Sequence, residues 1–441
     1  MAFPGCPYKS KNLKTKINMR LRLIVMNFLQ FAVWGSYLTS MGAYLATAGL
    51  GTDIGNYYAL QGIVSIFMPA LMGIVADRWV QAQRLLSFCH MMAAVFMGLC
   101  GWIGLQAETT GGEVNGSLLF ALYAVSVAFY MPTLALSNSV AYTALDKAGL
   151  DTVKAFPPIR VFGTVGFLCA MWLVDGLGII NSPLQFFESA IFGLLIAAYS
   201  LTLPSCPAKR NNASQSLLEA FGLKAFTLFR EKKMAFFFIF SFMLGVSLQI
   251  TNGYANPYIQ SFGENPEYQG MFFVEHSNLL VSLSQVSETL CILLIPFFLG
   301  RFGIKKVMLI AMLAWVGRFG FFGLGNPGPG VWLFILSCIV YGVAFDFFNV
   351  SGSLFVDKET DVSIRSSAQG LFMLMTNGLG ATFGSLAAKA VINRLVYAEG
   401  LSVAQQAAGW QTAWYIFAGY ALVVAVAFAI LFEYKHVRND G

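Results

Sequence analysis

Long apolar runs separated by short polar connections dominate this chain. A helix needs about 20 mostly apolar residues to cross the hydrocarbon core of a bilayer. Runs that meet this requirement centre near residues 34, 66, 94, 126, 168 and 194, and then near 246, 287, 314, 342, 378 and 421. The pattern predicts an all-α, polytopic membrane protein with twelve transmembrane helices.

The longest polar connection divides the predicted helices into two equal sets. It covers residues 204–233, between an N-terminal six-helix half (19–203) and a C-terminal six-helix half (234–434). A short extension (1–18) and a tail (435–441) flank the two halves. The two halves contain similar segments, PALMGIVADRW from Pro69 and PFFLGRFGIKK from Pro296. In each segment a glycine follows four residues after the proline, and one or more basic residues follow the glycine. Two pseudo-symmetric halves are the expected plan of a carrier that rocks about a central site.

Composition and charge agree with a membrane location. The chain is 57% hydrophobic and only 11% charged, whereas soluble domains carry about 25% charged residues. Basic residues concentrate in alternate loops, which predicts that both termini and the linker are cytoplasmic. The first apolar run lacks a clear cleavage site, so we expect it to remain as the first span. The net charge of +6 is spread between apolar runs, which argues against nucleic-acid binding.

Two carboxylates lie inside otherwise apolar runs. Glu288 lies in LLVSLSQVSETLCILLIPFFL and Asp346 in VWLFILSCIVYGVAFDFFNV. A charge at mid-bilayer costs at least about 2.5–3.5 kcal/mol, so such groups normally face a polar cavity where they bind a proton or a polar solute. Two structural alternatives remain: Glu288 pairs with an arginine to hold helices together, or Asp346 is a hydrogen-bond anchor beside Asn349.

Polar and aromatic side chains form stripes on four of the predicted helices, because residues three, four and seven apart share a helix face. The stripes are Arg160, Thr164 and Phe167; Gln249, Asn252 and Asn256; Gln285 and Glu288; and Tyr341 and Phe345, with Asp346 adjacent. Amides and carboxylates bind a polar solute through hydrogen bonds, and aromatic rings offer a flat surface for stacking. As alternatives, Arg160 snorkels to the surface, or the amides join neighbouring helices. Lesser candidates for lining the same cavity are Gln30, Trp34, Tyr37, Thr133 and Asn377.

Several long motifs occur in order along both halves. They are FLQFAVWGSYLTSMG (28–42), FMPALMGIVADRW (67–79), FPPIRVFGTVGF (156–167), LQITN (248–252), SQVSETL (284–290), YGVAFDFFNVSGS (341–353), SAQGLFMLMTNG (367–378) and FEYKHVR (432–438). Together they resemble the nucleoside:proton symporter family of the major facilitator superfamily. The resemblance covers about residues 19 to 438 and leaves the choice among nucleosides open.

The resemblance carries a set of functional expectations. It implies proton-coupled uptake of nucleosides by alternating access, in a monomer in the bacterial cytoplasmic (inner) membrane. It implies that the nucleoside site is lined by Arg160, Thr164, Phe167, Gln249, Asn252, Gln285, Glu288, Tyr341 and Phe345. Asp346 is implied in proton coupling, and we assign Glu288 to the substrate with a further coupling role.

Other functions are less well supported by the sequence. A sugar or oligosaccharide symporter of the same superfamily is the first alternative, since carboxylates and amides also suit hydroxyl-rich sugars. A nucleoside-binding membrane receptor is a remote one, because the linker and tails contain no recognisable signalling domain. HExxH, P-loop, GxSxG and dinucleotide motifs are lacking, and the seven cysteines have no metal-ligand spacing. We therefore expect neither an enzyme nor a metal ion or other cofactor.

Overall fold

The computed structural model describes residues 7–206, 223–361 and 364–434. Its N-terminal half contains α1 (Pro7–Gly35), α2 (Met41–Thr47), α3 (Ile54–Arg78), α4 (Ala82–Thr110), α5 (Gly116–Lys147), α6 (Thr152–Gly176) and α7 (Leu184–Ser200). Its C-terminal half contains α8 (Lys232–Leu248), α9 (Ile250–Ser261), α10 (Phe272–Glu275), α11 (Ser277–Leu324), α12 (Val331–Glu359), α13 (Arg365–Met373), a π-helical segment (Leu374–Gly380), α14 (Ala381–Leu395) and α15 (Val403–Leu431). Short 3₁₀ helices cover Gly51–Asp53, Leu223–Arg230 and Phe262–Glu264.

The described residues are helical without any strand, so the all-α prediction is confirmed. Nine of the described helices are long and apolar enough to cross a membrane, and the shorter α7 is also apolar. Each of the twelve predicted span centres falls within one of the helices above. Most of the predicted linker (207–222), the first six residues and the predicted tail (435–441) lie outside the described residues.

A single glycine divides the longest helix into two spans. The α11 helix has 48 residues, and Gly303 within it has φ 77° and ψ 168°. Side chains with a Cβ rarely adopt this positive φ, whereas glycine does so at little cost. The turn at Gly303 therefore separates the two apolar runs that the sequence predicts around residues 287 and 314.

The first span is interrupted between α1 and α2. Residues 36–40 form turns there, and two polar side chains of α7 hold them. Ser36 Oγ lies 3.2 Å from Glu188 Oε1, and Ser40 Oγ donates to Gln185 Oε1 at 2.8 Å. The interruption leaves the backbone carbonyl of Thr39 free to bond outside its own helix, which matters for the contact between the halves.

The two halves meet at the end of the bundle that is opposite the linker, here called the far end. Asn256 Nδ2 donates to the Thr39 carbonyl at 2.7 Å, and Thr39 Oγ1 donates to Asn278 Oδ1 at 2.7 Å. Nearby, His276 Nδ1 lies 2.6 Å from Asp175 Oδ2. These bonds join α6 and the interrupted first span to α9 and α11, so they hold the far end closed.

The halves diverge toward the linker end. On α3, a Cβ added at Gly62 would lie 2.4 Å from Thr382 Oγ1, so α3 touches α14 of the other half there. Gly73 is eleven residues further along α3, which returns it to the same helix face. A Cβ at Gly73 would meet no atom of the described residues within 4 Å. Along this face of α3, the close contact with the other half at Gly62 is therefore lost toward the linker end.

Gly42 tests how tightly the far end is packed. A Cβ at Gly42 would lie 2.1 Å from the Gly253 carbonyl oxygen, across the two halves. We expect Gly42→Ala to populate a far-end-open form at least tenfold more than the parent protein, since a clash costing about 1.4 kcal/mol suffices for that shift. Distances between spin labels on Glu113→Cys and Glu267→Cys, which are exposed at the far end, measure the change.

Gly98→Ala is the matched control for this experiment. Among the described residues, a Cβ at Gly98 would meet only the Ala190 Cβ, at 3.6 Å and inside the N-terminal half. This variant should keep the parent distance distribution. A Gly42→Ala distribution that matches the parent would mean that the close contact with Gly253 does not govern the far end.

Candidate functional site

The contact between α6 and the start of α11 positions most of the predicted site residues. Asn278 Nδ2 donates to the Met171 carbonyl at 3.0 Å, and Trp172 Nε1 donates to Ser282 Oγ at 2.9 Å. From these contacts the two helices run together toward the linker end. Their next turns carry the predicted site residues of this pair, which are Arg160, Thr164, Phe167, Gln285 and Glu288.

Arg160 and Glu288 carry opposite charges on opposite halves. Both side chains are half-buried, and they attract each other electrostatically. Among the described residues no ion pair within 4 Å joins them. The guanidinium of Arg160 instead lies over the Phe31 ring, with its carbon 3.9 Å from the ring centroid. The two charges therefore attract each other from opposite halves without a direct ion pair, and a polar ligand that contacts both can join them.

Glu288 and Asp346 come close because α11 and α12 touch. A Cβ at Gly342 would lie 2.5 Å from the Ser287 carbonyl, so the two backbones are in contact one residue before Glu288 and four before Asp346. Asp346 is 5% exposed and interacts electrostatically with Glu288. Its buried Oδ2 has no hydrogen-bond partner among the described residues, and neither has Oδ1 of Asn349. The alternative of a structural anchor beside Asn349 gains no support from this geometry.

The predicted stripe of Gln249, Asn252 and Asn256 divides into two parts in the structure. Asn252 Nδ2 donates to Gln249 Oε1 at 2.8 Å, and both side chains are half-buried at the junction of α8 and α9. Asn256 is fully buried and belongs to the far-end contact. Of these three residues, only Gln249 and Asn252 are therefore placed to meet a ligand on the linker side of the closed far end.

Aromatic rings flank the charged groups in both halves. Tyr341 and Phe345 are nearly parallel, with an interplanar angle of 12° and centroids 5.6 Å apart. In the other half, Phe167 meets Trp34 edge-to-face at 6.4 Å. Phe345 and Trp34 are half-buried, while Tyr341 and Phe167 are largely covered. Offset parallel rings are a suitable surface for stacking a flat base.

The lesser candidates fall into two groups. Gln30 and Thr133 are 0% exposed and bond to each other, with Gln30 Nε2 donating to Thr133 Oγ1 at 2.7 Å. Gln30 Oε1 also lies 2.8 Å from Nε2 of the buried His90, and Tyr37 is fully buried against Tyr123. This placement favours a structural role for Gln30, Thr133 and Tyr37 within the N-terminal half. Trp34 and Asn377 are half-buried and retain accessible surface.

Sequence reasoning missed the far-end contact. Thr39, Asn278 and the Asp175–His276 pair were not predicted to join the halves, although each is a polar residue close to the end of an apolar run. That position is the only signal in the sequence, and it does not identify the partner. No group of three or more His, Cys, Asp or Glu side chains that could hold a metal ion occurs within residues 7–206, 223–361 and 364–434.

Comparison with known proteins identifies the family. The model of the family described as "Nucleoside H+ symporter" matches residues 17–437. The chain belongs to this family. It is 44% identical to the nucleoside permease NupG of Escherichia coli K12 over 425 residues, which cover 96% of the chain and 98% of the permease. It is 47% identical to the xanthosine permease of the same strain over 423 residues, 95% of the chain and 97% of that permease.

The fold agrees with this family. The chain superposes on the crystal structure of the nucleoside transporter NupG with a TM-score of 0.85 at 43% identity, covering 95% of this chain and all of that one. The architecture is therefore that of a major facilitator transporter. The identities to the two named permeases are similar, so they do not separate the substrates that the two names suggest.

Proposed function

We propose that this protein carries nucleosides together with protons into the cytoplasm by alternating access. The observation that carries the proposal is the pair of opposite charges, Arg160 and Glu288, on opposite halves, with Asp346 buried beside Glu288. A membrane protein keeps ionisable groups at such depth where they bind a solute or a proton. Membership of the symporter family supports the same reading.

The site offers the chemistry that a nucleoside needs. Glu288 accepts hydrogen bonds from ribose hydroxyls, while the amides of Gln249, Asn252 and Gln285 donate and accept along the ribose and the base edge. The Phe345 ring, with Tyr341 parallel to it, stacks on the base. Because these groups come from both halves, a bound nucleoside draws the halves together around itself, which is the closure step of a rocking carrier.

Asp346 is the proposed proton carrier. A buried carboxyl without a hydrogen-bond donor is far less costly when it is protonated and neutral. Hydration of this region as the halves rock would stabilise the carboxylate and release the proton. A proton crossing about 100 mV releases about 2.3 kcal/mol, which supports roughly fifty-fold accumulation at about 1.36 kcal/mol per tenfold.

The proposed orientation follows from the basic loops. Lys147, Arg301 and Lys305 lie at the linker end, so the positive-inside rule puts the linker and both termini in the cytoplasm of a bacterial inner membrane. The far end then faces outward and is closed, and the conformation described here is inward-open. The proposed unit is a monomer in the lipid bilayer, since each half contributes to a single site within one chain.

A nucleoside panel tests the function. In a host that lacks its own nucleoside carriers, the protein should accumulate labelled uridine or adenosine. A protonophore should lower the internal nucleoside concentration until it equals the external one. Excess unlabelled nucleoside should compete with uptake, whereas maltose or sucrose should not. Competition by the sugars alone would favour the sugar symporter, and saturable binding without any counterflow in liposomes would favour a receptor.

A further inference from the structure

Arg318 is a buried cation without an anionic partner. The residue is 1% exposed on the second part of α11, and no described Asp or Glu forms an ion pair with it. Its Nη1 donates to the Ser337 carbonyl at 2.9 Å and to Ser284 Oγ at 3.2 Å, while its Nε has no hydrogen-bond partner among the described residues. The side chain of Cys338 also interacts with the guanidinium. Burying a cation without a carboxylate partner is expensive in a membrane protein, so the other contacts of the guanidinium have to offset this cost.

The guanidinium of Arg318 also contacts two aromatic rings, and the more distant of them is Phe322, whose centroid lies 5.5 Å from the guanidinium carbon. The guanidinium carbon of Arg318 lies 4.4 Å from the centroid of the Tyr341 ring, and Trp315 meets the same ring edge-on at 5.9 Å. Tyr341 in turn lies parallel to Phe345. A cation–π contact is strongest where water is excluded, as it is around the buried Arg318. The Tyr341 ring thus contacts both Arg318 and Phe345, and Phe345 is the more exposed of the two rings.

We propose that Arg318 is a positioning residue of the nucleoside site. It holds the Tyr341 ring in place and, through this ring, the orientation in which Phe345 meets the base. The proposal rests on the proposed nucleoside function. Arginine suits the role better than lysine, because its planar guanidinium can bond a carbonyl and a hydroxyl while its carbon stays over the ring. The competing explanation is that Arg318 only ties three membrane spans together through Ser284 and Ser337.

Two ligands separate these explanations. Uridine has a flat aromatic base, whereas 5,6-dihydrouridine has the same ribose and nearly the same polar groups on a puckered, saturated base. If Arg318 positions the stacking rings, Arg318→Met should weaken uridine binding roughly tenfold, within the range of a desolvated cation–π contact, and leave 5,6-dihydrouridine binding unchanged. Titration calorimetry on the purified protein measures both dissociation constants.

Further variants complete the test. Arg318→Lys should recover part of the uridine affinity, because it restores a cation near the ring. Arg318→Gln keeps a donor for the Ser337 carbonyl, and it should show the same selective loss if the Met variant does not fold. Ser337→Ala removes the 2.7 Å bond from Ser337 Oγ to the Arg318 carbonyl without removing the cation, and should bind both ligands as the parent does.

The possible outcomes distinguish two failures. Equal losses for uridine and 5,6-dihydrouridine, or no loss for either, would overturn the positioning role and leave the proposed function standing. A parent protein that binds no nucleoside at all would overturn the proposed function, and the positioning role with it.

Discussion

Asp346→Asn is expected to abolish uphill accumulation of uridine while sparing exchange. Asparagine has nearly the shape of aspartic acid but cannot take up or release a proton. The variant should therefore behave like a carrier whose side chain at position 346 is always in the protonated, neutral state. Its halves should still rock around a bound nucleoside, because the other site residues are intact. Accumulation should fall from roughly fifty-fold, the value that about 100 mV supports, to equal concentrations on both sides.

Uptake and counterflow in proteoliposomes provide the two readouts for this variant. Uptake under an imposed proton gradient reports coupling, and counterflow of labelled uridine against unlabelled uridine reports exchange. Glu188→Gln is the matched control, because Glu188 is also a buried carboxyl but lies on α7 beside Ser36, inside the N-terminal half. If Asp346→Asn still concentrates uridine as the parent does, the proton is carried elsewhere.

Glu288→Gln is expected to weaken nucleoside binding itself by ten- to a hundred-fold. Hydrogen bonds to a charged group contribute about 1.5–3 kcal/mol, and Glu288 is the half-buried anion that attracts Arg160 of the other half. Glutamine keeps the size of the side chain and one acceptor, but it loses the charge. Calorimetric titration with uridine should therefore show a higher dissociation constant, while the melting temperature of the ligand-free protein stays close to that of the parent.

A purely structural Glu288 would give the opposite pattern. If the carboxylate only held helices together with Arg160, Glu288→Gln would lower the melting temperature and leave the dissociation constant unchanged. Glu275→Gln makes the same chemical change at an exposed position at the far end, and should alter neither quantity. A change in the dissociation constant therefore indicates that Glu288 binds the nucleoside, whereas a change in the melting temperature alone indicates a structural role.

Much of this architecture could be predicted from the sequence for simple physical reasons. Bilayer thickness fixes the length of an apolar span, so the helices are visible as runs. The cost of an intramembrane charge makes Glu288 and Asp346 conspicuous, and the α11–α12 contact brings them together as the functional hypothesis requires.

Other features depend on packing that a single sequence does not reveal. The stripe of Gln30, Trp34 and Tyr37 gives a helix face but not what that face contacts. In the structure Gln30 and Tyr37 are fully buried, and only Trp34 keeps accessible surface. The far-end contact of Thr39, Asn256 and Asn278 joins segments more than two hundred residues apart. No local pattern specifies such distant partners.

The most direct test of coupled transport is proton movement driven by the nucleoside alone. The protein is reconstituted into liposomes that contain a pH-sensitive dye, with equal pH on both sides and the membrane potential clamped. Adding uridine outside should acidify the lumen in the parent protein, and should leave it unchanged in Asp346→Asn while labelled uridine still enters. Uridine entry into parent liposomes without any acidification would contradict proton coupling through this site.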